Sequence, residues 1–206
     1  MAILATDDFN GASNADLGAQ WDPCTGESGP NGFILTGSGS AGPSGGGGSD
    51  CSETNNAVTW PNDHYSEITF FATGANGAGS GCGVTCRAAT GATVTYYRLI
   101  GNASGYELGK KVAGSFTSLS SGTGTTFTAG DKMRLQLSGT TWTCFKNGVQ
   151  FATGTDSAIA SGRAGIAYSS TDGTTTIDAF EGGSLVSSSA VVGRGGGGSP
   201  GISGPF

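Results

Sequence analysis

Histidine, charge and long apolar runs are all scarce in this chain, and each shortage removes a class of function. Among 206 residues the single histidine is His64, in "WPNDHYSE". A Ser-His-Asp triad would have to use it, and the two G-x-S-x-G matches, at 42–46 and 197–201, lie in Gly-rich stretches with no helical pattern after them, so neither reads as a nucleophile elbow. Lys and Arg number nine against fifteen Asp and Glu, for a net charge of −6, and the basic residues do not cluster. Phosphate backbones are held by basic stripes that release counterions, so a nucleic-acid partner is excluded. No run approaches the roughly 20 apolar residues that span a bilayer, so no membrane partner is expected. Apolar residues at i, i+3, i+4, i+7 are everywhere interrupted by glycine, which argues against long helices. The opening "MAILATDDFNG" has neither the basic start nor the apolar stretch of about 7–15 residues of a secretory leader. The reading is that a leader was removed, or that the protein leaves its cell another way, such as inside a virion.

What the chain has is glycine, forty residues of it, among short β-branched or alternating runs. "DDFNG", "GFILTG", "NAVTW", "YSEITFFAT", "GCGVTCRAA", "TVTYYRLIG", "GYELGKKVAG", "SFTSLSS", "KMRLQLSG", "TWTCFKNG", "VQFATG", "GRAGIAYSS" and "TTIDAFEGG" are bounded mostly by Gly, Asn, Asp or Ser. Short strands at this spacing predict an all-β fold, a two-sheet antiparallel sandwich of the jelly-roll kind. Asn147-Gly148 and Asp172-Gly173 are hairpin dipeptides suited to left-handed φ. Met133, Leu135 and Leu137 alternate with Arg134, Gln136 and Ser138, giving one dry face that Trp142 and Cys144 continue. One domain is expected over 1–186, with a Gly-rich insertion at 25–50. Residues 187–206, "SSAVVGRGGGGSPGISGPF" with its preceding serine, have the composition of a tail, read as an attachment or assembly segment.

The five cysteines are Cys24, Cys51, Cys82, Cys86 and Cys144, so at least one has no partner within the chain. Cys24 and Cys51 bracket the Gly-rich insertion, and closing that loop would remove roughly 3–4 kcal/mol of unfolded-chain entropy. They are the preferred disulfide. Cys82 and Cys86 stand about 13 Å apart in an extended strand, too far to bridge. With Val84 they line one face as small core residues, and Cys144 reads the same way. Zinc is disfavoured, because only His64 could add nitrogen and no second Cys pair has the usual spacing.

From Tyr96 to Phe180 the chain resembles the concanavalin A-like (laminin G-like) jelly-roll superfamily. The resemblance is carried by "YYRLIGNASGYELGKKVAGSFTSLSS", by "AGDKMRLQLSG…KNG…SGRAGI" and by "TTIDAFEGG". The opening "ATDDFNGASNADLGAQWDP" is similar to the start of such domains on phage tail and other virion proteins. The resemblance implies two antiparallel sheets with the first and last strands side by side, "DDFN" next to "IDAFEG". Glycosidases of this superfamily that resemble laminarinases carry Glu-x-Asp-x-x-Glu on one strand. None of Glu27, Glu53, Glu67, Glu107 and Glu181 has an Asp two residues on, and Glu67 has no acidic partner on its own strand. A pair split between strands is the remaining catalytic arrangement.

Sugar binding needs exposed aromatic faces beside hydrogen-bonding groups. The candidates are Trp60 with His64 and Tyr65, and Tyr96 with Tyr97, whose adjacency sends one ring outward. No cofactor is expected. Asp7, Asp8 and Asp178 converge if the terminal strands pair, and calcium is the ion such carboxylates would take; the plainer reading is that they cap turns. The expected function is a non-enzymatic virion structural protein, a phage decoration, fibre or tail-associated module. Its expected partners are other virion proteins or copies of itself as a homo-oligomer, and surface glycans. The expected location is the virion, otherwise the extracellular space. The alternatives are a secreted carbohydrate-binding module and a glycoside hydrolase with dispersed acids.

Overall fold

The computed structural model describes residues 1–13, 16–23, 32–43, 51–89, 93–169 and 174–185, with Cys51 described by its backbone. The Cys24–Cys51 pairing and the Asp172-Gly173 turn lie outside the described residues. Within them are fifteen strands and no helix. In chain order they are β1 (Ala2–Asp7), β2 (Trp21–Pro23), β3 (Phe33–Leu35), β4 (Ala41–Pro43) and β5 (Cys51–Asn55). Then come β6 (His64–Ala72), β7 (Gly81–Ala88), β8 (Tyr96–Asn102), β9 (Gly105–Val112) and β10 (Ser115–Gly122). The last five are β11 (Lys132–Ser138), β12 (Thr141–Lys146), β13 (Val149–Thr155), β14 (Arg163–Ser169) and β15 (Thr176–Ser184).

They form two antiparallel sheets. One has eight strands, in the order β13-β12-β11-β6-β15-β4-β3, with β1 also paired to β15. The other has seven, in the order β10-β9-β8-β7-β14-β5-β2. The terminal strands lie side by side as expected, with Asp7 opposite Phe180 and Thr6 opposite Glu181. The β12–β13 hairpin turns on Asn147 and Gly148 at φ of 50° and 79°, the left-handed values that Asn-Gly tolerates. "NAVTW" is not a strand. Its predecessor Cys51–Asn55 is, and the Asn55 side chain then accepts the Ala57 N–H at 3.1 Å, closing a turn that competes with further pairing.

The core lies between the sheets. Ile68, Phe70, Met133, Leu135, Leu137, Trp142, Cys144, Ile177 and Phe180 come from the eight-stranded sheet. They meet Cys82, Val84, Cys86, Tyr97, Leu99, Leu108, Ile166 and Tyr168 from the other. The expected dry face of β11, its continuation at Trp142 and Cys144, and the inward row Cys82-Val84-Cys86 are all found. Each large apolar side chain so buried contributes about 1.5–3 kcal/mol. Polar bolts fix how the sheets sit. The Ser66 hydroxyl donates to the Thr85 carbonyl across the core at 2.6 Å. The Tyr97 hydroxyl donates to Asp156 Oδ1 at 2.7 Å, and Asp156 Oδ2 takes Lys110 at 2.5 Å.

Candidate functional site

The strand register sets which side chains share the outer face of the eight-stranded sheet. On β6 the alternation sends Ser66, Ile68 and Phe70 inward, so Tyr65, Glu67, Thr69 and Phe71 face away from the core. Opposite residues in a sheet share a face. One cross-strand row therefore holds Thr6, Glu181, Glu67, Arg134 and Phe145, and the next holds Ile3, Gly183, Tyr65, Gln136 and Thr143.

Glu181 and Glu67 are thus direct neighbours on adjacent strands, an arrangement that two like charges resist. The surroundings offset it. Glu67 Oε2 accepts Arg134 Nε–H at 2.8 Å, and Oε1 lies 3.3 Å from Lys132 Nζ. Glu181 Oε1 accepts the Tyr65 hydroxyl at 2.7 Å. The Arg134 guanidinium stacks on the Tyr65 ring, 4.3 Å from its centroid, so one cation serves both a carboxylate and a π face. Burial, and then the bond to Glu181, pushes the Tyr65 phenol well above its ordinary range, so it stays a donor. Two acids and two cations balance, and the geometry is held from three strands.

A cleft of about 480 Å³ opens beside this cluster. Ala179 and Glu181 form its floor, Glu67, Thr69 and Lys132 one wall, and Thr6, Asp8 and Gln20 the other. On the same face, two residues beyond Thr69, Phe71 leaves 44% of its surface in water. The result is a polar cleft of carboxylates, hydroxyls and an ammonium next to an exposed ring. Such a surface can hold a hydroxyl-rich ligand. As a reactive pair the acids are poorly presented: both Glu67 oxygens are occupied by cations, and Glu181 is tied to a phenol.

The residues singled out from the sequence fall elsewhere, with one exception. Trp60, His64, Tyr65, Tyr96 and Tyr97 are each at most 8% exposed, so none offers a ring face to solvent. The Trp60 indole donates to the Asn55 carbonyl at 2.7 Å. His64 Nδ1 donates to the Pro61 carbonyl at 2.6 Å while its Nε2 accepts the Arg87 N–H at 3.2 Å, which fixes one neutral tautomer. Burial lowers its pKa to about 4. Tyr97 closes the inter-sheet bolt, and Tyr96 packs with Ala88 and Val94, so neither member of that pair turns outward into water. Tyr65 alone reaches the site, as the brace beneath Arg134. Phe71 was missed, although the adjacency in "TFFAT" carries the same signal as "TYYRL".

Asp7 and Asp8 are engaged by different partners. Asp7 accepts Gln20 Nε2 at 2.5 Å, the Trp21 indole at 2.7 Å and the Phe9 N–H at 2.8 Å, which uses its oxygens to clamp the chain start onto β2. Asp8 turns to Asn10, and Asp178 is exposed at a register shift of β15. Among the described residues no group of three or more His, Cys, Asp or Glu could hold a metal ion.

No family model matches the chain, and no curated protein does. Solved structures do. A carbohydrate-binding module (CBM66) from Bacillus subtilis superposes with a TM-score of 0.58 at 15% identity, over 77% of this chain and 91% of its own. A Bacillus licheniformis beta-glucanase gives 0.57 at 8% identity, over 86% and 96%. The CBM2 module of the evolved Dit of Lactobacillus casei BL23 phage J-1 gives 0.54 at 12% identity, over 87% and 94%. The protein therefore has the concanavalin A-like jelly-roll fold. Binding modules and a glucanase share that fold, and fold alone does not choose between them.

Proposed function

We propose that this protein is a non-catalytic glycan-binding jelly roll whose ligand lies on the outer face of the eight-stranded sheet, from the Glu67–Glu181 cleft to Phe71. One observation carries the reading: Phe71 is exposed on the same sheet face as the hydrogen-bonded carboxylates of Glu67 and Glu181 and the half-exposed Lys132 ammonium. A sugar presents a patch of C–H bonds that packs on an aromatic face and hydroxyls that need placed donors and acceptors. Phe71 supplies the first, and Glu67, Glu181, Thr69 and Lys132 supply the second. The cleft volume falls within the range of small-ligand sites, about 300–1,000 Å³.

The setting we propose is a virion, where the module would attach to other virion proteins and meet surface glycans. The opening segment's resemblance to virion jelly rolls supports this, and a phage module stands among the structures sharing the fold. Detection of the chain in purified particles by mass spectrometry tests the setting separately.

Glycan-array screening followed by titration tests the site. Binding should fall at least about tenfold on Phe71→Ala and on Glu181→Gln, with circular dichroism unchanged; tenfold is about 1.4 kcal/mol. Silence across the array, or binding indifferent to both changes, sinks the proposal. A second reading rests on the Glu67–Glu181 pairing itself. Opposed residues on adjacent strands bring carboxyls near the roughly 5–5.5 Å separation used in retaining hydrolysis. Sugar release from β-glucans that stops in both Glu67→Gln and Glu181→Gln would make the protein a hydrolase instead.

A further inference from the structure

β10 is the outermost strand of the seven-stranded sheet, and among the described residues it is bonded along one side only, to β9. None of its eight residues is charged and none is proline. Folded proteins usually blunt such edges with charge, proline, shortness or a bulge. The opposite edge of the same sheet is blunted in three ways: β2 has three residues, ends in Pro23, and carries Asp22 in an ion pair with Arg163. β10 has a register shift near Leu119, but Ser115–Ser118 ahead of it runs in unbroken register with all four residues exposed. Its largest side chain does not screen the edge. The Phe116 ring lies 4.8 Å from the Arg98 guanidinium and sits over Gly109, where an added Cβ would come within 2.2 Å of it. The ring is folded back across β9 toward β8, and among the described residues no strand pairs with the outer backbone of β10.

We infer that this edge joins two copies of the chain, β10 to β10, antiparallel across a two-fold axis. Self-complementarity selects a second copy as the occupant. A two-fold between antiparallel strands sets one residue opposite itself. With Thr117 on the axis, Phe116 of each copy faces Ser118 of the other and Thr117 faces Thr117, so no charge meets its like and hydroxyl residues pair. A strand bearing Lys or Glu at these positions would repel its own copy. β13 lies on the same side of the sandwich, as the Tyr106–Phe151 ring contact at 4.8 Å shows, and it too is uncharged. A two-fold perpendicular to the sheets therefore brings no charged strand into opposition in either layer. This interface is independent of the glycan reading.

Sedimentation of the full chain over a concentration series tests it, with a dimer expected. Thr117→Glu faces Lys110 within its own chain and is tolerated there, but it opposes itself across the axis. It should weaken the dimer at least about tenfold, by like-charge opposition, whereas Thr117→Ser leaves it unchanged. Thr117→Cys, treated with oxidised glutathione, should yield a covalent dimer through position 117: two thiols become one disulfide, and the glutathione disulfide is reduced to two thiols. A wild-type monomer at every concentration overturns the inference. So does a dimer that survives Thr117→Glu and dissociates on Val149→Glu, which would place the contact on β13.

Discussion

Two pairs of adjacent aromatics sit on interior strands of this sandwich, Phe70–Phe71 on β6 and Tyr96–Tyr97 on β8, and they diverge outside the core. Each pair sends one ring inward: Phe70 and Tyr97 are both about fully buried, at 1% and 0% exposed. The other rings separate. Phe71 stands 44% in water, while Tyr96 is wholly covered. Alternation along a strand decides which side a ring takes, and says nothing about whether that side is covered. The outer face of the eight-stranded sheet is open at Phe71; that of the seven-stranded sheet is closed at Tyr96. The open face also carries the cleft, so the comparison doubles as a map of where a ligand can reach.

The largest test of this comparison is to remove the inward rings. Tyr97→Ala and Phe70→Ala should each lower unfolding free energy by about 3–5 kcal/mol, the range for deleting a buried aromatic. Tyr97→Ala also leaves Asp156 without its phenol donor. Urea denaturation read by tryptophan fluorescence measures both. A loss below about 1 kcal/mol at either position would mean the inward and outward rings are energetically alike.

The next effect comes from two buried titrating groups with opposite signs. Burial pushes the Glu53 carboxyl up to about 7, where its Oε1 accepts the Phe33 N–H at 2.6 Å, and burial lowers His64 to about 4. The folded state keeps the Glu53 proton that the unfolded chain loses above its ordinary 4.5, so this group's contribution falls as pH rises from 4.5 to about 7. The unfolded chain protonates His64 below its ordinary 6.5 and the folded state does not until about 4, so that contribution falls as pH drops over this window. Each is worth on the order of 3 kcal/mol over its full window. Between 4.5 and 6.5 the two slopes cancel. Glu53→Gln should therefore expose stability that declines on acidification, and His64→Gln stability that declines with rising pH. Parallel slopes in the two variants would break the assignment.

How much of this was legible beforehand follows from the same comparison. The two-sheet class, the β1–β15 pairing, the Asn147-Gly148 hairpin and the inward rows at Met133-Leu135-Leu137 and Cys82-Val84-Cys86 depend on short-range pattern or on the superfamily resemblance, and all are present. The site depends on contacts between strands far apart in the chain. Glu67 has no acidic neighbour on its own strand, and Glu181 becomes its partner only through β15–β6 register, which no local pattern encodes. The adjacency in "TYYRL" and in "TFFAT" carries one and the same signal, and only the covering of the outer face, which local pattern does not encode, separates Tyr96 from Phe71. By pattern His64 belongs with Trp60 and Tyr65 on a sugar-facing surface, yet the β7 irregularity that holds Arg87 at φ 51° delivers an N–H to its Nε2.

The smallest effects lie on the open face and sharpen the comparison most. Phe71→Ala should lower unfolding free energy by only about 1–1.5 kcal/mol, because 44% of the residue stays in water and about half of the full burial gain is lost. Lys132→Ala should lower stability by about 0.2–1 kcal/mol, since Lys132 is half exposed and Glu67 keeps Arg134. Added salt separates the two. The Lys132 effect should shrink toward zero as the ionic strength is raised to about 1 M, where the screening length falls to about 3 Å, and the Phe71 value should not move. Equal salt sensitivity in both variants, or a Phe71→Ala loss comparable to that of Phe70→Ala, would show that the outer ring is part of the fold's own packing and not a surface kept for a ligand.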